Sequence, residues 1–224
     1  MATKAPFVRV YDPTTDYENG LHVFLTTIDP GLDWEPARTV GAHLWYKVYA
    51  DTTPETCYVL DDGNGRVVGY CIGAADTTSF AQRWRDVFTP TIDAKLVPHA
   101  NIQTGDPQME RPDIKHFRKA VYEADCSMLQ PWPQMLEQYP AHLHIDILPE
   151  YQRKGWGKVL IHNFLGTVKS MGATGAHLDM VQSNTSARAF YEKIGFQICP
   201  QVLDDGASGH TGVNGIVATL VMSF

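Results

Sequence analysis

Two rhythms of apolar residues divide the chain. Residues 7–12 (FVRVYD) alternate, the period-two mark of a strand with one covered face, and Asp12-Pro13 stops it. Residues 16–27 follow as a short helix, closed by Asp29-Pro30-Gly31. Asp33 stands where it would cap a second helix, whose stripe is Val40, Leu44, Trp45 and Val48. The run CYVLDDGNGRVVGYCIGAA (residues 57–75) reads as a hairpin, since two β-rich runs flank the turn residues Asp62-Gly63-Asn64-Gly65.

The next part loses that rhythm to prolines and polar residues. Phe80, Trp84, Val87 and Phe88 fall at i, i+4, i+7 and i+8, and Ile114, Phe117 and Val121 make a second helical stripe. We read about 76–140 as a helical insertion on a single domain spanning residues 1–224. Such a segment either shapes a substrate pocket or simply covers one sheet face. After Pro140 the pattern sharpens. AHLHIDIL (residues 141–148) alternates as a strand, and residues 155–171 form a helix with Leu160, Phe164 and Val168 on one face, stopped by Gly172. GAHLDMVQ (residues 175–182) is another strand. Asn184 or Thr185 caps a short helix that Gly195 ends, and residues 196–203 and 214–224 read as two last strands. Strand, helix, strand, helix and then strands define an α/β fold: a mixed sheet with helices on its faces.

Composition bounds the function. The 224 residues are 44% hydrophobic and 19% charged, which suits a packed core and not a disordered chain. A formal net charge of −7 argues against nucleic-acid binding, which runs on Lys and Arg, and is compatible with a cationic substrate. The N-terminal stretch MATKAPFVRVYD has no apolar signal core, and no segment approaches 18 continuous apolar residues, so no membrane partner is expected. Cys57, Cys71, Cys126 and Cys199 are scattered without a C-x-x-C pair, and the nine histidines include no HExxH. The expectation is a reducing compartment, the cytoplasm with the nucleus as the other compatible place, and neither disulfides nor a metal site.

The stretch LPEYQRKGWGKVL (residues 148–160) is where chemistry concentrates. A strand that turns into a helix through glycines exposes the first helical N–H groups, and the helix dipole adds partial positive charge. Such an end binds phosphate, and Gln152, Arg153 and Lys154 add donors and charge at its rim. A P-loop is ruled out, because Val159 follows Gly157-Lys158 and no glycine stands five before Gly157. A Rossmann fingerprint fits poorly, because Leu160 fills the third glycine position, although Asp179 is placed to serve as its acid. What stands here is Gln-x-x-Gly-x-Gly after a strand that ends apolar-Pro.

Two motifs, Q152-R-K-G155-W-G157 and N184-T-S-A-R-A-F-Y191-E-K-I-G-F196, resemble the GNAT superfamily of N-acetyltransferases. Within it, HLHIDILPEYQRKGWG and YVLDDGNGRVVGYCIGAADTTSF look most like the acetyltransferase-like domain of O-GlcNAcases and its free-standing microbial relatives. The resemblance implies a mostly antiparallel twisted sheet of about seven strands with helices on both faces. It implies acetyl-CoA as donor, CoA as product and a primary amine as acceptor, with oligomeric state left open. The pyrophosphate would lie on the amides of Arg153, Lys154, Gly155, Trp156, Gly157 and Lys158, with Gln152 beside them. Pantetheine would run along Ile147 and Leu148 and near Asn184, Ala187 and Tyr191. A backbone N–H near Ile147 would meet the developing oxyanion.

Tyr191 is the candidate general acid. An unperturbed tyrosine has a pKa of about 10 and a thiol about 8.5, so passing its proton to a leaving thiolate costs only about 2 kcal/mol. The alternative is an aromatic that only packs on its helix. For the base, His142, His144 and Asp146 share one strand face. Ala141, where some relatives carry a glutamate, takes no proton. Asp146 is preferred over His144, with Asp179 and His177 on the neighbouring strand as further candidates, and a water chain without a dedicated base as another route. Acidic charge and the aromatics Phe80, Trp84, Phe88, Phe117 and Trp132 favour a small cationic amine as acceptor. A protein lysine, or a catalytically silent acyl-CoA-binding module, is the alternative.

Overall fold

The computed structural model describes residues 4–124, 133–199 and 217–224. Seven strands form one sheet: β1 (Phe7–Val10), β2 (Tyr58–Asp61), β3 (Val67–Ala74), β4 (Ala141–Ile147), β5 (Gly175–Val181), β6 (Gln197–Ile198) and β7 (Val217–Ser223). Their order is β1-β2-β3-β4-β5-β7-β6. Every neighbouring pair is antiparallel except β4 and β5. The mixed, mostly antiparallel sheet expected from the sequence is therefore present.

The β2–β3 hairpin closes as its residues dictate. Gly63 and Gly65 take positive φ values of 92° and 91°, where side chains are disfavoured, and the Asp61 carboxylate accepts both of their N–H groups. Arg9 on β1 reaches the same carboxylate at 3.0 Å and the fully buried Asp16 at 2.6 Å. That pairing ties β1 and β2 to the start of α1 (Tyr17–Thr27).

Odd-numbered residues of β3 face α7 (Trp156–Ser170): a Cβ on Gly73 would stand 2.7 Å from the Phe164 ring. Even-numbered ones face the opposite helices, as Tyr70 shows by packing 5.4 Å from the Tyr46 ring. That second layer comprises α1, α2 (Ala37–Ala42), a π turn (His43–Lys47) and α3 (Val48–Thr52). The predicted stripe Val40, Leu44 and Val48 is buried in it. Asp33 does not cap this helix. Pro36 occupies the N-cap position, and Asp33 instead pairs with Arg38.

Three further helices lie in the proposed insertion: α4 (Thr77–Arg83), which runs into a π turn (Trp84–Phe88), α5 (Pro112–Tyr122) and α6 (Pro133–Gln138). Phe80, Trp84 and Phe88 are buried, whereas Val87 is exposed. Phe80 stacks on Tyr49, and Trp84 Nε1 donates to Val121 O at 2.9 Å. These rings therefore do not line an open aromatic pocket; they are core. Trp132 and Cys126 lie outside the described residues. The long connection before α5 has one short 3-10 turn (Thr89–Thr91) and otherwise no regular structure, and Arg118 orders it. Its guanidinium, fully buried, donates to the carbonyls of Pro98, His99, Ile102 and Met109 at 2.7–2.9 Å. β6 and β7 fall within the two last strands read from the sequence, of which residues 200–203 and 214–216 lie outside the described residues.

Candidate active site

The sheet opens at β4. This strand pairs with β3 over six positions, from Gly69↔Ile147 to Ala74↔His142. With β5 it pairs only at Ala141↔Ala176 and His142↔His177, while β5 keeps β7 along its whole length. Beyond His142 the two parallel strands separate. The register sets what faces the gap. Leu148 N–H donates to Val68 O at 2.9 Å, so even-numbered residues of β4 bond to β3. In an antiparallel ladder the alternate residues point their N–H and C=O the other way, so Ile145 and Ile147 turn theirs toward the gap. Leu148 differs from Ile147: its N–H is spent on Val68, and its carbonyl accepts from Tyr151. Of these two residues only Ile147 keeps a backbone donor for a ligand in the gap.

At the end of β4 the chain makes a short 3-10 turn (Pro149–Tyr151) and enters α7. Arg153 and Gly155 both adopt positive φ, 58° and 88°. Gln152 stays extended, and its side-chain amide donates to Ile147 O at 2.7 Å. The first helical bond is Val159 N–H to Gly155 O. The N–H groups of residues 153–158 have no acceptor among the described residues. Arg153, Lys154 and Lys158 are exposed around them, and Trp156 is half-buried. This is a concave run of donors at a helix N-terminus, the geometry that favours an anion.

The two glycines serve different ends. A Cβ on Gly155 would meet nothing within 4 Å, so its φ is what demands glycine. A Cβ on Gly157 would stand 2.9 Å from the Phe190 ring and 3.7 Å from Ile147. Gly157 therefore lets α8 (Thr185–Ile194) pack against the start of α7. Asn184 caps α8, its side chain accepting Ala187 N–H at 3.0 Å, and Gly195 ends it with φ 119°.

On the face opposite α7 lie His142, His144 and Asp146. Tyr70 donates its hydroxyl to Asp146 Oδ2 at 2.5 Å. Burial raises the Asp146 carboxyl to about 6, against the hydrogen bond from Tyr70 and the nearby Thr27 hydroxyl, which pull it down. Burial pushes His144 down to about 4, so it is neutral near pH 7 and a weak base. His142 and His177 are fully buried. His177 Nδ1 is bonded to Tyr139 O at 2.7 Å, and Asp179 accepts from Thr219 at 2.6 Å. Tyr191, half-buried, packs against Phe190 and Phe196. Burial chiefly, then the charges of Asp146 and Cys71, raise its hydroxyl well above the ordinary tyrosine range.

The structure thus puts Ile147 and the 152–158 junction at the end of β4, keeps Tyr191 close enough to Asp146 for their charges to couple, and gives His177 and Asp179 structural partners. Sequence reading missed Tyr70 and Tyr49. Both sit among apolar residues, and only strand register and helix packing show that their hydroxyls serve Asp146 and the histidines. Among the described residues no group of three His, Cys, Asp or Glu is arranged for a metal, and no helix is long and apolar enough to cross a membrane.

A sheet splayed beside a donor-lined helix start defines the acyl-CoA-type transferase fold that the sequence motifs resemble. A family profile described as an acetyltransferase (GNAT) domain matches residues 122–198. The solved structure of SsHAT is 30% identical, with a TM-score of 0.79, over 98% of this chain and 98% of that one. The chain belongs to the GNAT acetyltransferase family. Over 53 residues, 24% of this chain, it is 40% identical to the uncharacterized N-acetyltransferase CgeE of Bacillus subtilis. Over 53 residues it is also 45% identical to the ribosomal protein bS18-alanine N-acetyltransferase of Haemophilus influenzae. These matches span 20% and 36% of the two curated relatives.

Proposed function

We propose that this chain transfers the acetyl group of acetyl-CoA to a primary amine of a small molecule, by direct attack with both substrates bound. The observation that carries the reading is the run of N–H groups at residues 153–158 without an acceptor among the described residues, beside the gap between β4 and β5. The fit is chemical: a diphosphate needs donors without competing acceptors, and the junction supplies six in sequence with three cations around them. Acetyl-CoA supplies an activated thioester. Ile147 N–H faces the gap where a developing oxyanion needs a donor. Leu148 is not assigned a pantetheine contact.

Asp146 is assigned as the base. Its carboxyl near 6 is largely ionised at pH 7 yet basic enough to take a proton from an amine, close to the match a general base needs. His144, at about 4, is too weak for that role. Tyr191 is assigned as the acid that protonates the leaving sulfur. Burial chiefly raises its hydroxyl, which makes the transfer costlier than for an unperturbed tyrosine, and its charge coupling to Asp146 gives the two an order. Once Asp146 has taken the amine's proton its charge is gone, and one of the causes that hold the Tyr191 proton is removed. Base action on one side of the gap thereby eases acid action on the other.

The test begins with melting of the protein alone and with acetyl-CoA, CoA or NAD. A ligand at 100 times its Kd stabilises by about 2.7 kcal/mol, so acetyl-CoA and CoA should raise the melting temperature and NAD should not. A panel of small amines and lysine peptides is then scored by thiol release. No shift with either CoA species sinks the reading at its base. A shift without thiol release from any amine would make the chain a silent acyl-CoA-binding module. Release with lysine peptides alone would replace the small acceptor by a protein.

A further inference from the structure

The face of β4 that carries Asp146 also carries a chain of hydrogen bonds with a fixed direction. Thr77 Oγ1 donates to Pro140 O at 2.7 Å. A hydroxyl has one hydrogen, so toward His142 Nδ1, 2.6 Å away, Thr77 can only accept. His142, kept neutral by burial, therefore holds its hydrogen on Nδ1 and offers a lone pair at Nε2. That lone pair takes the Tyr49 hydroxyl hydrogen across 3.1 Å. Tyr49 oxygen then has only lone pairs left for His144 Nε2, also 3.1 Å away. His144 must donate from Nε2, and its Nδ1 is left as an acceptor.

Tyr49 is well placed to hold this arrangement. It is buried, stacks on Phe80 with centroids 4.6 Å apart, and meets both histidine rings edge-on. His144 itself is only half-buried. Its Nδ1 has no partner among the described residues and is not one of the sealed, unsatisfied side-chain atoms, so it opens to solvent. Residues two apart on a strand stand about 7 Å apart on the same face, so Asp146 and the bare His144 nitrogen form a row of two acceptors.

We infer that His144 Nδ1 accepts an N–H or O–H of the acceptor substrate, about one strand pleat from the amine that Asp146 deprotonates, and that Tyr49 is the positioning residue that locks the required tautomer. This deepens the transfer reading and rests on it. The favoured acceptors are amines with a second hydrogen-bond donor: amino alcohols, diamines or amino sugars. An ether or carboxylate at that point would set lone pair against lone pair, and discrimination built on a hydrogen-bonded group is strong.

Two readings test it. The first compares a five-carbon amino alcohol with its O-methyl ether, which keeps the oxygen and loses the donor. We expect kcat/KM at least about tenfold higher for the alcohol, mostly in KM. His144→Leu should bring that ratio to about one without abolishing turnover of the ether. The second needs no activity: long-range proton–nitrogen NMR of the wild type should show His142 protonated on Nδ1 and His144 on Nε2. Tyr49→Phe should leave His144 as a mixture of tautomers. Equal use of alcohol and ether by the wild type, or His144 protonated on Nδ1, would overturn the inference alone. No turnover of any amine would instead sink the transfer reading.

Discussion

Two irregular segments of this protein solve the problem of unpaired backbone in opposite ways. In the connection before α5, one buried guanidinium, that of Arg118, spends four of its five N–H groups on four carbonyls, with Glu110 3.8 Å from its Nη1. At the junction between β4 and α7, six successive N–H groups are left without an acceptor among the described residues. The first segment is closed by its own sequence; the second leaves its donors to solvent or to a bound group. The candidate site is marked not by a special residue type but by a place where the fold leaves its own donors open.

The largest expected effect lies on the closed side. Arg118→Met should destabilise the fold by about 3–5 kcal/mol, because four carbonyls lose at once the buried charged donor that gathers them. Urea unfolding measures it. Acetyl-CoA affinity, corrected for the folded fraction, should be unchanged. A large loss of affinity in the folded protein would break the division between the two segments.

Asp146 tests the open side with the opposite sign. Its folded pKa of about 6 stands above the ordinary Asp value of about 3.9. The native state therefore holds its proton more tightly, and this contribution to stability is full below about 4 and lost as pH rises through about 6. At pH 7 the ionised carboxylate costs stability, and Asp146→Asn should recover about 1–3 kcal/mol while kcat falls about 100-fold. In the wild type, kcat/KM should rise through about pH 6 as Asp146 loses its proton, and the variant should lose that limb. A variant that is less stable at pH 7, or that keeps the limb, would remove Asp146 as the base. Tyr191→Phe should be milder: turnover falls about tenfold or more, with acetyl-CoA affinity nearly unchanged. Equal turnover would take Tyr191 out of the mechanism.

Much of this was legible in the sequence, for identifiable reasons. Alternation placed β4 and β5, and Gly155, Asn184 and Gly195 marked helix ends through local backbone chemistry. The expectation of anion binding at the junction follows from strand, glycine and helix in succession, which needs no tertiary knowledge. What stayed hidden depends on register or packing. Leu148 and Ile147 are equivalent in sequence, and only the pairing with Val68 separates them. Phe80, Trp84 and Phe88 look like a pocket when their surroundings are unknown, and become core once Tyr49 and Val121 are set against them. Asp33 has a capping side chain, but Pro36 begins the helix one turn later. His144 and Asp146 differ as bases only because burial acts in opposite directions on an acid and a cation.

The two glycines of the junction give the finest comparison, because one amino-acid type stands there for two physical reasons. Gly155→Ala adds a Cβ that touches nothing, so its cost is the left-handed backbone alone, about 1 kcal/mol. That strain falls on the loop that presents the amides, so acetyl-CoA affinity should drop a few-fold while urea unfolding changes little more than that amount. Gly157 has ordinary helical backbone, and Gly157→Ala instead drives a methyl into the Phe190 ring. Its effect should pass to α8, and hence to Tyr191, and appear in kcat before Kd. Calorimetry with CoA beside single-turnover rates separates the two. If both substitutions weaken CoA binding alike and leave the transfer step untouched, Gly157 belongs to the anion cradle and not to the packing of α8.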